Sequence, residues 1–220
     1  MTVRNTLVAV VFVGSLLVGV AGCSQDTAGT VTAASPSVTV PISAVVTLPA
    51  GPIDRTAPGT DLLWSDTAFL PSDAFRPDEQ LAGFTVTGIE PAADGDLPES
   101  FTQGGSPFYI RLTITQVVDK QRNVLSTMGF SGSADGTTAA LTVLPPENFA
   151  KCQASPAPET LAKGQSYATC LVALADPGTD LTRVIYWADT GSDEFDYKSA
   201  PVVWSDGTPL TPSGSVVPTS

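Results

Sequence analysis

The chain has 220 residues, with 22 acidic and 10 basic side chains, a formal net charge of −12 at pH 7 and no histidine. The lack of histidine excludes mixed Cys/His zinc sites and nucleophilic catalysis that depends on an imidazole base. The basic residues form no cluster, so the chain has no positive surface for a phosphate backbone, and nucleic acid is not expected as a partner.

The N-terminal segment has the parts of a secretory signal. Arg4 supplies a positive charge, residues 7–20 are almost wholly apolar, and the run closes on small residues before Cys23. The apolar stretch is shorter than the roughly 20 residues that a membrane-spanning helix needs, and no basic cluster follows it. We therefore expect residues 1–22 to be a cleaved signal peptide.

The residues around Cys23 resemble the lipobox of bacterial lipoproteins, in which a branched aliphatic residue and two small residues precede a cysteine. Here the four positions are Val20-Ala21-Gly22-Cys23. The resemblance implies that the Cys23 thiol carries a diacylglycerol and that Cys23 becomes the first residue of the mature protein. It also implies an extracytoplasmic location, with fatty acids such as palmitate anchoring the protein to the cell membrane. The alternative is an ordinary signal peptide of a secreted protein, in which Cys23 is incidental.

Two segments have the low-complexity composition of flexible chain. Residues 23–60 are rich in Thr, Ala, Ser and Pro and contain no aromatic residue, which predicts a flexible linker, and the lipobox resemblance implies that its N-terminus is lipidated. Within them, residues 36–48 are alternatively a strand, which their prolines would confine to the edge of a sheet. Residues 207–220 are again rich in Pro, Gly, Ser and Thr and are expected to be a disordered tail.

Residues 61–206 have the pattern of an all-β domain. In "SPFYIRLTITQVV", Phe108, Ile110, Leu112 and Ile114 recur with a period of two, which indicates a strand with one buried face. The 19 glycines and 19 prolines of the chain favour turns between short strands. The pattern predicts an antiparallel β-sandwich of about seven or eight strands. The further candidate strands are residues 83–90, 125–130, 140–144, 164–174, 181–187 and 201–204, with two similar Trp-Ser-Asp segments at 62–70 and 202–210.

Cys152 and Cys170 are close to each other in sequence and far from Cys23. An even pair of cysteines in an exported chain is expected to form a disulfide, here between a Pro-rich loop and the strand at residues 164–174. The alternative, a reactive thiol pair, lacks the Cys-x-x-Cys spacing of redox sites. We expect the bond to hold the loop against the sheet.

The region from about Gly83 to Trp204 resembles the immunoglobulin-like, telokin-like domains of bacterial surface lipoproteins. The resemblance is carried by "FYIRLTITQVV", "MGFSGSADG", "LAKGQSYATCLVAL" and "LTRVIYW", which are signals of fold and contain no catalytic motif. It implies an immunoglobulin-like sandwich with a core tryptophan, for which Trp187 is the candidate. The two closely spaced cysteines depart from the antibody pattern, in which a disulfide joins the two sheets.

The functional prediction is a non-catalytic module with no cofactor that binds an envelope protein or polymer. The sequence leaves the oligomeric state open. Exposed aromatic side chains can form a binding surface, and Tyr109, Tyr186 and Tyr197 are candidates for one. The alternative, which is the more frequent outcome, is that each is an ordinary strand residue that covers its neighbours.

Two acidic turns leave two other functions open. Oxygen-rich turns can hold Ca²⁺, although the EF-hand spacing is absent, so a small-ligand or Ca²⁺-binding surface lipoprotein is the first alternative. Two carboxylates held at a suitable separation can serve a hydrolase, which is the second alternative. The acidic residues are Asp94, Asp96 and Glu99 in one turn and Asp189, Asp193, Glu194 and Asp196 in the other.

Overall fold

The computed structural model of the chain describes residues 46–76, 80–119, 125–155, 158, 161–191 and 193–209. The predicted signal peptide, Cys23, the linker up to residue 45 and the tail from residue 210 lie outside these ranges. The described residues form nine strands, one short α-helix and one 3-10 turn. The elements are β1 (Asp61–Leu63), β2 (Thr67–Pro71), β3 (Leu81–Pro91), α1 (Glu99–Thr102), β4 (Ser106–Gln116), β5 (Phe130–Ser133), β6 (Leu141–Val143), β7 (Ser166–Ala175), β8 (Arg183–Tyr186), the 3-10 turn (Asp193–Phe195) and β9 (Val202–Ser205).

The strands form two sheets that pack face to face. The first sheet has the order β1-β9-β8-β5, and the second has the order β2-β3-β4-β7-β6. Strands β3 to β9 follow the order of a seven-stranded, constant-type immunoglobulin domain, with β3-β4-β7-β6 in one sheet and β5-β8-β9 in the other. The predicted all-β, immunoglobulin-like sandwich is therefore confirmed, and β1 and β2 extend its two sheets.

The structure has more strands than the sequence predicts, and one pair is parallel. Residues 62–70 contribute to two strands, β1 and β2, which belong to different sheets. β1 pairs with β9 in parallel, with Leu62 opposite Trp204, whereas the other pairs in the described sheets are antiparallel. The two Trp-Ser-Asp segments therefore lie side by side.

Residues that precede β1 also contact the sandwich. Thr56 donates its backbone N–H to the Phe69 carbonyl (2.9 Å), and its hydroxyl accepts a hydrogen bond from the Phe69 N–H (2.8 Å). The Tyr197 hydroxyl donates to the Thr56 carbonyl (2.7 Å), and the Arg55 guanidinium lies 4.4 Å from the centroid of the Phe195 ring. Contacts of the sandwich thus extend to the N-terminal side of residue 61, the predicted start of the domain.

The main core lies between the two sheets. The inward residues predicted for β4 are all buried in it, each with 5% or less of its surface exposed. In β3, Phe84 and Val86 face the same core, as their spacing predicts. A bulge follows at Thr87, so the next inward residue is Ile89, three positions after Val86 instead of two.

The core tryptophan is Trp204, and the candidate that the sequence offered, Trp187, lies outside the core. Trp204 is fully buried on β9, and its indole Nε1–H donates to the Asp66 carbonyl (3.0 Å). Its ring packs against Phe130, with centroids 5.8 Å apart. Trp187 directly follows Tyr186, an inward residue at the end of β8, so alternation turns its side chain away from the core, and 36% of it is exposed.

Candidate functional site

The sandwich has an open side where edge strands of the two sheets meet. β5 is an edge strand of the first sheet, and β6 is an edge strand of the second. Between them lies a groove of about 980 Å³, lined on one wall by the inward side chains of β7: Tyr167, Thr169 and Leu171. This volume is at the upper end of the range found for ligand-binding pockets. We call this feature the β5–β6 groove.

The rim of the β5–β6 groove is apolar. Of the six large apolar side chains that are exposed in the described part of the chain, four line this groove: Met128 (51% exposed), Leu141 (62%), Leu144 (66%) and Trp187 (36%). The Lys198 ammonium lies 5.9 Å from the Trp187 ring centroid, within the range of cation–π attraction. Clustering of exposed apolar side chains on one groove is typical of a binding site.

The wall of the groove, unlike its apolar rim, also contains hydroxyl groups that lack hydrogen-bond partners. None of the described side chains that line it is charged, although the chain carries a net charge of −12. The Thr142 hydroxyl is buried and has no partner in the described structure. Tyr167 is 7% exposed, and burial alone raises the pKa of its hydroxyl to about 12, so the group stays protonated at neutral pH. An apolar groove with a few unpaired hydroxyls suits an uncharged ligand.

The turn between β5 and β6 positions the two edges of the groove. The Asp135 carboxylate accepts hydrogen bonds from the Thr137 and Thr138 backbone N–H groups (both 2.7 Å) and from the hydroxyls of Thr138 (2.7 Å) and Ser133 (3.1 Å). Partial burial raises the pKa of Asp135, but the four hydrogen bonds together outweigh it, and the pKa lies well below its ordinary value of 3.8. The ionised carboxylate therefore closes this turn.

Replacing Asp135 with alanine is expected to lower the free energy of unfolding by about 2 kcal/mol at neutral pH, because four donors lose a charged acceptor. Since the pKa is lower in the folded state, this stabilisation is present above the unfolded pKa of 3.8 and is lost as the pH falls towards the folded pKa. Urea unfolding of the parent and Asp135→Ala proteins at about pH 7 and about pH 2.5 measures the effect. Asp135→Asn, which keeps one acceptor oxygen, is the control and should lose less. An equal loss at both pH values would contradict a role for the charge.

The two downstream cysteines lie on the outer face of the second sheet. Cys152 and Cys170 form a disulfide, with their Cα atoms 5.2 Å apart. Cys170 lies on β7 and Cys152 in the connection between β6 and β7, so the bond holds this connection against the sheet and does not join the two sheets. Its neighbours form a second, smaller apolar cluster, which contains Leu97, Tyr109, Val172 and Leu174.

The first acidic turn is attached to this outer cluster. The Asp96 carboxylate forms an ion pair with Lys151 and accepts hydrogen bonds from the Tyr109 hydroxyl and the Ala93 N–H (both 3.1 Å). The pKa of Asp96 is lowered, most of all by Lys151, against a smaller opposing effect of desolvation, with further lowering by the other two donors. Asp96 thereby joins the β3–β4 turn to β4 and to the residue before Cys152.

The second acidic turn closes on its own backbone. Asp196 accepts hydrogen bonds from the N–H groups of Lys198 and Ser199 (both 3.1 Å), and Asp189 accepts one from the Gly191 N–H (3.0 Å). Within the described ranges, no three Asp, Glu or Cys side chains come close enough together to hold a metal ion. Asp189 and Asp196 therefore have structural roles in their turns.

The two acidic turns lie at opposite ends of the sandwich. The first joins β3 to β4, and Ser106 at the start of β4 is opposite Ala175 at the end of β7. The first acidic turn and the end of β7 therefore lie at the same end of the sandwich. Residues 176–182 connect β7 to β8 at this end, so β8 finishes at the opposite end, where the second acidic turn joins it to β9. Carboxylates from the two turns therefore do not face each other across a cleft, and the geometry gives a paired-carboxylate hydrolase no support.

Tyr109, Tyr186 and Tyr197 are all buried, so the interpretation of each as an ordinary packed residue is confirmed, and the alternative of an exposed binding surface is wrong. Tyr109, Tyr186 and Tyr197 are 3%, 1% and 0% exposed. Tyr186 points inward from β8 and packs against Phe130 and Tyr197, with ring centroids 5.1 and 5.2 Å apart. Tyr109 points outward from β4 but is covered by the second cluster. The exposed aromatic side chain at the groove is instead Trp187.

Comparison with known proteins gives no functional assignment: no family model, curated protein or solved structure matches the chain. Over the described ranges, none of the helical segments is long and apolar enough to cross a bilayer. The only sequence sign of the groove was the apolar character of residues 125–130 and 140–144, which were predicted as strands. In the structure, residues 125–129 precede β5 and line the groove.

Proposed function

We propose that the protein is a lipid-anchored, extracytoplasmic binding module without catalytic activity, which contacts an apolar component of the cell envelope through the β5–β6 groove. The observation that carries the proposal is the concentration of exposed apolar side chains on this one groove, where none of the lining residues that the structure describes is charged. Burial of such side chains against a partner is favourable by roughly 25 cal/mol per Å², which gives the rim a driving force for association.

The anchor and the linker follow from the sequence. Val20-Ala21-Gly22-Cys23 supports lipid attachment at Cys23, and the low-complexity residues between Cys23 and Arg55, where contacts of the sandwich begin, supply a spacer. A domain tethered in this way samples the envelope within the reach of its linker. The tether raises the local concentration of the groove near membrane and envelope components, so a modest intrinsic affinity is sufficient.

Photo-crosslinking in the native cell envelope tests the proposal. A benzophenone side chain at Leu144, on the rim, is expected to form a covalent adduct with one defined envelope component. The matched control is Phe75, which is also exposed (76%, against 66% for Leu144) but does not line the groove. Combining the Leu144 probe with Cys23→Ser should release the protein from the membrane fraction and greatly reduce the adduct, because the tether is lost.

Equal adduct formation at Leu144 and Phe75, or none at either, would contradict a binding role for the groove. Retention of Cys23→Ser in the membrane fraction, or an N-terminal peptide whose mass shows no diacylglycerol on Cys23, would contradict the anchor.

A further inference from the structure

We infer that the β5–β6 groove binds the acyl chain of a neutral lipid; this inference rests on the proposed function and specifies the ligand. Much of the groove surface is apolar. Leu171 lies on its wall, and its rim is formed by Met128, Leu141, Leu144 and Trp187. Its volume of about 980 Å³ exceeds what one protein side chain would fill. A long aliphatic chain is a ligand that fits this shape and this surface.

The lining residues favour a neutral lipid over an anionic one. A fatty-acid carboxylate or a phosphate headgroup would be stable at the groove only with a cationic partner. Among the described residues, no lining side chain is charged, and Lys198, beside the rim, has its ammonium over the Trp187 ring. The chain as a whole is strongly acidic, which further disfavours an anionic ligand.

The backbone at the groove favours a lipid over an extended peptide. A bound peptide strand gains affinity from main-chain hydrogen bonds along a sheet edge. β6 is only three residues long, and the chain that crosses from β5 to β6 already donates the Ala140 N–H to the Gly132 carbonyl (2.9 Å). The Ser131 hydroxyl also donates to the Ala140 carbonyl (2.6 Å). An acyl chain needs no such edge.

Two hydroxyl groups in the groove indicate that the ligand carries a polar group next to its acyl chain. The Tyr167 side chain lines the groove, and its hydroxyl keeps some contact with solvent and makes no hydrogen bond to any described residue. The Thr142 hydroxyl on the adjacent strand is buried and also lacks a partner. The Tyr167 hydroxyl is accessible and can donate a hydrogen bond to an ester carbonyl or hydroxyl beside the acyl chain. The ligand is therefore a neutral acyl ester or alcohol, such as a monoacylglycerol.

Tryptophan fluorescence provides a direct test with the full chain carrying Cys23→Ser, so that its own fatty acids do not compete. The probe is a monoacylglycerol whose acyl chain carries bromine atoms, which quench indole fluorescence on close approach. Saturable quenching is expected, and Trp187→Phe should abolish most of it because Trp64 and Trp204 do not line the groove. The brominated fatty acid, which differs in its charge, should bind at least tenfold more weakly.

A double variant at the rim, a matched double variant outside the groove and the single variant Tyr167→Phe test the contacts with the lipid. Met128→Asn with Leu141→Asn is expected to weaken binding tenfold or more, whereas Leu63→Asn with Phe75→Asn, at exposed apolar positions outside the groove, should leave it unchanged. Tyr167→Phe removes a hydroxyl that has no partner in the described structure, so the fold should be retained. It should weaken the monoacylglycerol about three- to tenfold and leave a brominated alkane unaffected.

Quenching that is absent, that persists in the rim variant, or that is stronger with the fatty acid overturns this inference. If the lipid fails to bind while the Leu144 probe captures a protein or polymer in the envelope, the proposed function stands and the lipid assignment falls. If both experiments fail, both proposals fall.

Discussion

Trp204→Ala is expected to destabilise the domain by about 3–5 kcal/mol, the largest effect of any single substitution considered for this protein. The side chain is fully buried between the two sheets, so its removal leaves a large cavity. It also deprives the Asp66 carbonyl of its indole donor and Phe130 of an aromatic neighbour. Urea unfolding monitored by far-UV circular dichroism measures the loss, and thermal unfolding should show a matching fall in the melting temperature.

Trp187→Ala is the matched control for that experiment. It removes the same side chain from a position that is 36% exposed at the rim of the β5–β6 groove, so we expect a loss of less than about 1 kcal/mol. If the two substitutions destabilised the domain equally, the assignment of Trp204 as the core tryptophan would be wrong. If only Trp187→Ala destabilised it, the packing of the whole first sheet would need revision.

Removing the disulfide with Cys152→Ala and Cys170→Ala is expected to cost about 3 kcal/mol, the second-largest effect. The two cysteines are 18 residues apart, and closing a loop of that size restricts the unfolded chain. Both side chains are buried in the outer cluster, so alanine also removes some apolar contact. Denaturant unfolding of the parent and the double variant, each also carrying Cys23→Ser, gives the difference without interference from the third thiol.

Reduction of the parent protein provides an independent measurement of the same bond. Added reductant should lower the unfolding midpoint of the parent to near that of the double variant and leave the variant unchanged. Alkylation before and after reduction, followed by mass spectrometry, should place the label on Cys152 and Cys170 only after reduction. A midpoint that does not respond to reductant would contradict a stabilising role for the bond.

Long, regular strands were predictable from the sequence. The two-residue period of β4 identified its buried face, and the alternating pattern in residues 164–174 identified β7, whose Cys170, Val172 and Leu174 do share a face. That face is the outer one, and sequence could not show this because both faces of β7 are apolar and each is covered by a different cluster.

Short strands were less predictable because close packing, rather than periodicity, selects their residues. β5 reads Phe-Ser-Gly-Ser, and the predicted strand at residues 125–130 overlaps it only at Phe130. Gly132 is required where the sheets approach, since a Cβ at this position would lie 2.6 Å from the Leu181 Cδ1 atom and 3.0 Å from the Ala173 Cβ atom. Such a constraint arises from residues far apart in sequence.

The candidate site was the least predictable feature. The β5–β6 groove exists because two edge strands from different sheets meet, and that adjacency depends on the complete strand order. Trp187 and Trp204 each end a short apolar run, and only the packing shows that one lies at the rim of a groove and the other in the core. The acidic turns were visible in the sequence, but their separation at opposite ends was not.

The parallel pairing of β1 with β9 has a mechanical consequence. The first and last of the strands that the structure describes are hydrogen-bonded neighbours, with three residues of each in register. A pull on the chain before β1, opposed by a pull on the chain after β9, would act along these strands and load their hydrogen bonds together in shear, since the bonds run across the strands. An isolated hairpin pulled at its open end would instead separate one bond at a time.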